Sequence, residues 1–450
     1  MRRRELAGSR TLTDGPHLGV FRTVFAVNAE FPGPLVEANE GDTIVVDVHN
    51  RLTNSTSLHW HGFPQNGTGF MDGTVGVTSC AIPPGASFRY EFAAAAGLAG
   101  TYWYHAHFST TRTDGLFGPL VVHARAAPRA PGSDRIVMVQ DWYHDLSAAL
   151  LPRYLAPGNE NAEPVPNGAL INGRGRADCA RVGTAHRCDP AGVALEVLHL
   201  DPAKPHKLRF INVGALAEFD VDIDEHAVSL VEVDGVAVVP HAMHRLRISV
   251  AQRYSVVVPA RPAAAAARGR SSFWLRARML PHCFAAVPDA LQLEARAVVS
   301  YAPPSLAPMQ PESRAWDDAA PLECLEMNLT SVAPLHALPA APPTADLLVR
   351  LRSSFAIGAY QLSRGFFNGT SWRPQRTPTL LQAIAGLAGA NASLFSAPPH
   401  ASPPVLDRAY DVARQLVVKL DRGAVVDLLI DNYDDGSRRS PPPPSSKNSS

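Results

Sequence analysis

Two short stretches of the chain each place two histidines one residue apart beside an aromatic. They are SLHWHGFPQNG over residues 57–67 and TYWYHAHF over residues 101–108. In an extended strand, residues i and i+2 face the same side. His59 and His61 therefore point together, and so do His105 and His107. Two such strands side by side would offer four imidazoles to one point. Neutral imidazole suits copper, zinc, iron or nickel. Copper(II) binds most strongly in the divalent series, but affinity alone does not settle which ion is held. A single His-x-His reads better as ordinary polar positions on a half-exposed strand. Two copies, each framed by aromatics and glycine, point instead to a metal site.

The rest of the chain supplies strands to carry these pairs. DTIVVDVHN (42–50), SFRYEF (87–92), GPLVVHA (118–124) and RIVMVQDWY (135–143) are short, β-branched and bounded by turn residues. HKLRFINVG (206–214), FDVDID (219–224), VSLVEVDGV (228–236) and RYSVVVPA (253–260) continue the pattern. Such spacing, with 40 Pro and 32 Gly, predicts an all-β chain of sandwiches or barrels. TPTLLQAIAGLAG (377–389) is the best helical signal. A length of 450 residues allows about three domains. Boundaries suggest themselves at ARAAPRAPGSD (124–134) and APPSLAPMQPESRAWDDAAP (302–321), and the closing GSRRSPPPPSSKNSS has the composition of a disordered tail.

Composition excludes several classes. Lys plus Arg equals Asp plus Glu at 41 each, so charge gives no pointer to nucleic acid or an anionic membrane. No apolar run reaches the ~18 residues of a membrane helix. The basic start MRRRELAGSR is not followed by the apolar segment of a signal peptide. The five cysteines are Cys80, Cys179, Cys188, Cys283 and Cys324, with no C-x-x-C among them. Cys179 and Cys188 could close a short disulfide, and the odd count leaves at least one cysteine without a partner in the chain. Sequons at Asn54, Asn66, Asn328, Asn368, Asn391 and Asn448 tilt toward a glycosylated, exported protein.

HWHG, QNGTGFMDG, VTSC and GTYWYHAH followed by DGLFGPLVVH resemble the first domain of multicopper oxidases, the laccases, ascorbate oxidases and ferroxidases. DWYHDLS, NAEPVPNGALING, INVGALAEFDVDIDEHAVSLVEVDGV and VAQRYSVVV resemble the second domain, and GFFNGTSWRPQRTPTLLQAI continues the likeness. The likeness to fungal iron-uptake ferroxidases and related laccases runs from about residue 15 to about 436. It implies tandem cupredoxin-like, that is plastocyanin-like, β-sandwich domains at 1–127, 128–303 and an incomplete 304–450. It also implies a copper cluster that reduces dioxygen to water. By resemblance His59 matches a type-2 copper ligand, and His61, His105 and His107 match type-3 ligands. Asp72 of MDG matches a carboxylate that assists proton delivery, where the residues alone suggest a turn. Trp60, Trp103 and Tyr104 are expected to pack around the site. Glu163 of AEPVP matches an acid that helps ferroxidases bind ferrous iron, or else is a solvated loop glutamate. The further acids of the ferroxidases have no counterpart in RMLPHCFAAVPDALQL.

The chain departs from the family after IDNYDDG. There the family carries a histidine-rich motif and later a His-Cys-His segment, which supply the type-1 copper and the remaining cluster ligands. No His-x-His follows His107, and the nearest approach to His-Cys-His is PHC at 281–283, whose His282 and Cys283 would face opposite ways on a strand. Cys80 resembles a family cysteine whose disulfide partner lies near that end. The resemblance thus implies an incomplete copper oxidase. Its full-length form would oxidise ferrous iron or phenols with dioxygen, outside the cell or at its surface. The alternatives are a non-catalytic copper-binding or cell-surface cupredoxin protein, and zinc on the same four histidines.

Overall fold

The structure is a computed structural model of the chain. It describes residues 2–16, 18–125, 134–157, 159, 163–189, 193–260, 269–284, 286–306, 310–318, 326–337, 342–357, 363–371, 377–387 and 423–433. The proline-serine tail and the core of the 124–134 connection lie outside the described residues.

The first sandwich is built from β1 (Arg2–Pro16), β2 (Phe21–Val27), β3 (Val36–Asn39), β4 (Thr43–Asn50), β5 (His59–His61), β6 (Ser87–Ala93), β7 (Gly100–His105) and β8 (Phe117–His123). One sheet runs β2-β1-β4-β6 and the other β3-β8-β7-β5. Period-2 alternation explains the core between them. Ile44, Val46 and Val48 from β4 meet Tyr90 and Phe92 from β6, with Trp60, Tyr102, Tyr104, Leu120 and Val122 from the facing sheet.

The second sandwich uses β9 (Asp134–Trp142), helix α1 (Ser147–Tyr154), β10 (Gly168–Ile171), β11 (Val197–His199), β12 (His206–Asn212), β13 (Phe219–Ile223), β14 (Val228–Val233), β15 (Val236–Met243), β16 (Arg245–Ile248), β17 (Arg253–Val258), β18 (Ser272–Met279) and β19 (Glu294–Ser300). Its sheets run β10-β9-β12-β17-β14-β15 and β11-β19-β18-β13-β16. Every strand expected from the sequence is present within a few residues. Helix α1 carried no signal that was read in advance. A third sheet, β21-β20-β22, is formed by β20 (Leu347–Ile357), β21 (Ser363–Phe367) and β22 (Val426–Asn432). Helix α2 (Thr379–Leu387) falls inside the expected helical stretch. No helix among the described residues is long and apolar enough to cross a membrane.

Strand β7 is buried along its whole length. Alternation gives the reason. Tyr102 and Tyr104 enter the first core, while Trp103 packs on Met138, Ile211 and Val213 of the second sandwich. Close approach is permitted by Gly100, where an added Cβ would lie 2.6 Å from Gly235 Cα. Buried charges seal the junction. Glu232 accepts the Thr101 N–H at 2.8 Å and pairs with Lys207 at 2.6 Å and Arg209 at 3.2 Å. Arg209 also donates to Thr101 Oγ1 at 2.8 Å and binds Asp134 at 2.7 Å. Burial pushes the Glu232 carboxyl up, but Lys207 and Arg209 outweigh it and hold the group below its ordinary range.

Removing one partner of a buried pair strands the other charge. We therefore expect Glu232→Ala to lower stability by about 3 kcal/mol, read from the denaturant midpoint. A change below about 1 kcal/mol would assign the network no more than surface strength.

Candidate metal centre

Strands β5 and β7 pair antiparallel, with His59 opposite His105, Trp60 opposite Tyr104 and His61 opposite Trp103. Trp60 turns inward onto Tyr90, Phe92 and Tyr104, at ring distances of 5.4, 4.9 and 6.0 Å. Alternation then sends His59 and His61 to the other face, beside His105. Among the described residues, one group of three donors could hold an ion: nitrogens of His59, His61 and His105 lie within 4.8 Å of one another.

His107 differs from the simplest expectation. Strand β7 ends at His105, so His107 is placed by the turn that follows rather than by strand alternation. Its ring still joins the cluster, 5.4 Å from that of His59 and 5.8 Å from that of His105. It is exposed and stands outside the three-donor group.

Hydrogen bonds fix which nitrogens are free. His59 Nδ1 lies 2.9 Å from the Asp72 carbonyl oxygen and 3.1 Å from Asp72 Oδ1, so Nδ1 carries the proton and Nε2 offers its lone pair. His105 Nδ1 donates to the Ala106 carbonyl at 3.0 Å, which frees its Nε2. That Nε2 lies 3.3 Å from His61 Nδ1. Two nitrogens each about 2.0–2.1 Å from one ion, at a tetrahedral angle, stand about 3.3–3.4 Å apart. The donor set thus fits an imidazole-bound transition metal.

Electrostatics keep these rings neutral. Burial, then Arg253 and His59, push His61 down to about 3. Burial and Arg112 hold His105 well below the ordinary histidine range, and burial and His59 lower His107. Neutral rings are the form that binds metal. Trp103 packs against His61 at 5.2 Å and His105 at 4.3 Å, and the Arg112 guanidinium lies over its indole.

Asp72 follows a 3-10 turn over Gly69–Met71. Its Oδ2 accepts from Thr74 Oγ1 at 2.7 Å. Burial raises its pKa, but the hydrogen bond and charge of His59, with Thr74, outweigh that and leave it lowered. Helix α2 braces this loop from outside. Thr379 N–H donates to Gly76 O at 3.2 Å and Leu380 N–H to Val77 O at 2.8 Å.

The structure keeps Glu163 apart. It is exposed before β10 and accepts from Tyr154 Oη at 3.3 Å, and no group of three donors forms around it among the described residues. PHC is not a strand but a 3-10 turn over Pro281–Cys283, and Cys283 is disulfide-bonded, so its sulfur offers no thiolate. Cys179 and Cys188 form the expected disulfide, and Cys80 is free and exposed. Sequence reading missed Arg112, Arg253 and Thr74, whose nearness to the site comes from folding rather than from a motif.

Tandem sandwiches of mixed sheets with an imidazole cluster on the first define a copper-oxidase class of architecture. The chain matches the family described as multicopper oxidase over residues 12–127 and again over 133–304, and it belongs to that family. It is 35% identical over 382 residues to Laccase-1 of Cryptococcus neoformans, which covers 81% of this chain and 59% of the relative. It is 32% identical to the iron transport multicopper oxidase fetC of Epichloe festucae, covering 89% of this chain and 59% of that one. Laccase-1 of Trametes villosa is 32% identical, with 85% and 69% covered. Among solved structures, Fet3p, described as a multicopper oxidase that functions in iron import, superposes with TM-score 0.73 at 25% identity over 88% of this chain and 68% of that one. The laccase of Botrytis aclada gives 0.72 at 29% identity, with 86% and 67% covered. The chain spans between 48% and 59% of the length of the first curated relatives it matches.

Gly73 has φ +83°, and a Cβ there would fall 1.8 Å from the Leu58 carbonyl oxygen. Gly73→Ala must therefore push Asp72 off His59. We expect at least a tenfold loss of copper affinity, measured by competition with a chromophoric chelator. Unchanged affinity would separate the Asp72 loop from the metal centre.

Proposed function

We propose that this chain is the copper-binding half of a multicopper oxidase, with His59, His61, His105 and His107 as copper ligands. The observation that carries the reading is the His59–His61–His105 group, whose nitrogens lie within 4.8 Å of one another while Nδ1 of His59 and of His105 already donates to a backbone carbonyl. Copper in such a site would pass electrons, one at a time from a reducing substrate, to dioxygen. The chain's own residues hold the ion, keep the donors neutral and place a carboxylate beside them. Asp72, hydrogen-bonded to His59 and held as a carboxylate, would orient water that delivers protons to the cluster.

The three units are assigned to 1–127, 128–303 and 304–450. The name of the fetC relative, an iron transport oxidase, supports iron as reducing substrate, a phenol is the alternative, and the six sequons support an extracellular or cell-surface location. Glu163 is assigned a contact to substrate at the surface of the second sandwich. No group of three donors forms around it among the described residues, which makes a phenol as reasonable a substrate as iron.

These 450 residues contain no second set of paired histidines after His107 and no His-Cys-His. A type-1 blue centre needs a cysteine thiolate beside two histidines. By itself the chain therefore binds copper without the route by which substrate electrons enter.

The purified 450-residue chain is expected to bind copper, show no intense blue absorption and consume no oxygen with ferrous iron or phenols. Replacing His105 and His107 by alanine should remove most of the metal, as measured by atomic absorption after dialysis. A blue chain, or one that turns over, overturns the half-site reading. Retained copper in the double variant overturns the ligand assignment.

A further inference from the structure

We propose a second metal site, apart from the β5–β7 cluster, in which His144 and His186 bind one divalent transition ion and Asp145 orients His186. The site lies where the chain leaves β9. There the His144 N–H is pinned to Asn167 Oδ1 at 2.7 Å. The His144 side chain is only 8% exposed, and its buried Nε2 has no hydrogen-bond partner. Leaving a buried nitrogen unsatisfied is costly, so an occupant that satisfies it is favoured.

The second imidazole stands beside it. The His186 ring centroid is 5.2 Å from that of His144. This matches the 5.5 Å between His61 and His105, whose nitrogens reach 3.3 Å. His186 rides on the loop closed by the Cys179–Cys188 disulfide, which limits how far it can stray. Its side chain is 24% exposed, which leaves the ring room to turn and an open path for the ion.

Asp145 sets the tautomer. His186 Nε2 lies 3.2 Å from Asp145 Oδ1, while Arg153 holds the other carboxylate oxygen at 3.1 Å. An Nε2–H donated to that carboxylate leaves Nδ1 of His186 with its lone pair. Carboxylate, imidazole and metal in that order is the usual arrangement around a ligating histidine. The two ligands are then His144 Nε2 and His186 Nδ1, which one ion would draw together, with water completing the coordination. Two protein ligands, against the three grouped nitrogens of the first cluster, mean weaker binding here. The nearest buried cation, Arg22, is paired with Asp114 at 2.5 Å and so does not face the site uncompensated. Nitrogen donors select zinc, copper, nickel or cobalt over calcium and magnesium, which prefer oxygen.

Zinc is the probe, followed by calorimetric titration of the full chain. In the variant with His59, His61, His105 and His107 all replaced by alanine, one zinc equivalent should remain. Adding His186→Ala should abolish it. Because the four-histidine variant touches buried His105, His186→Ala is also made in the otherwise unaltered chain, where it should lower bound zinc by one equivalent. Asp145→Asn should keep that equivalent but weaken it about 10–100-fold, and Asp145→Glu should restore it, with melting temperatures of the zinc-free variants alike. A chain that shows no zinc beyond the first cluster, or one in which His186→Ala leaves stoichiometry and affinity unchanged, overturns the proposal. An Asp145→Asn variant of unaltered affinity overturns the role of Asp145.

Discussion

The metal centre depends on one pairing, His59 opposite His105 in the β5–β7 ladder. A slip of one residue would turn Trp60 outward and both histidines of β5 into the core. Strand β5 has only three residues, too few for its backbone hydrogen bonds to set the register alone. Trp60 sets it. Its indole is fully buried among Tyr90, Phe92 and Tyr104. Burial of so large a side chain is worth about 3 kcal/mol or more, and moving it to solvent would forfeit that. The aromatic between the histidines is thus the anchor that aims them.

The partner strand is fixed from the opposite side. β7 lies between two cores and cannot shift without disturbing both. Thr101 is held through its N–H and hydroxyl by Glu232 and Arg209, and its carbonyl accepts from Arg253 at 3.1 Å. Two turns of alternation further along the same strand stands His105. The second sandwich therefore contributes to the metal centre without supplying a ligand. It holds the strand, and Arg253 and Arg112 help keep the rings neutral. Such support around donors is what limits loose geometry in metal sites.

Period and spacing made much of this legible. Alternation in DTIVVDVHN and SFRYEF foretells strands β4 and β6, and HWH with HAH names four histidines, three of which the fold gathers into one group. Local patterns fail where tertiary contact decides. His107 reads as a strand residue, but the ladder ends one turn earlier. In PHC, proline begins a 3-10 turn, so strand alternation does not set where His282 and Cys283 point. The Glu232–Lys207–Arg209–Thr101 network joins residues up to 131 positions apart, and no window of sequence contains it. His144 and His186 each look like an isolated polar residue until the disulfide loop brings them together.

The charge pattern around the first cluster also bears on what it can hold. His61 and His105 are neutral rings, and the guanidinium groups of Arg253 and Arg112 lie close enough to lower their proton affinity. The same field opposes any cation bound by charge alone. A hard ion such as calcium gains its affinity from several oxygen donors and their negative charge. Here a single carboxylate, Asp72, stands against the cluster, and it spends Oδ1 on His59 and Oδ2 on Thr74. An ion can overcome the positive surroundings only by strong bonding to imidazole nitrogen, which first-row transition metals provide and copper(II) provides most strongly. The His59 and His105 protons rest on backbone carbonyls, which do not titrate, so the presented lone pairs stay in place whether or not an ion is present. Selection against hard cations thus follows from the same arginines and hydrogen bonds that keep the empty donor set ready.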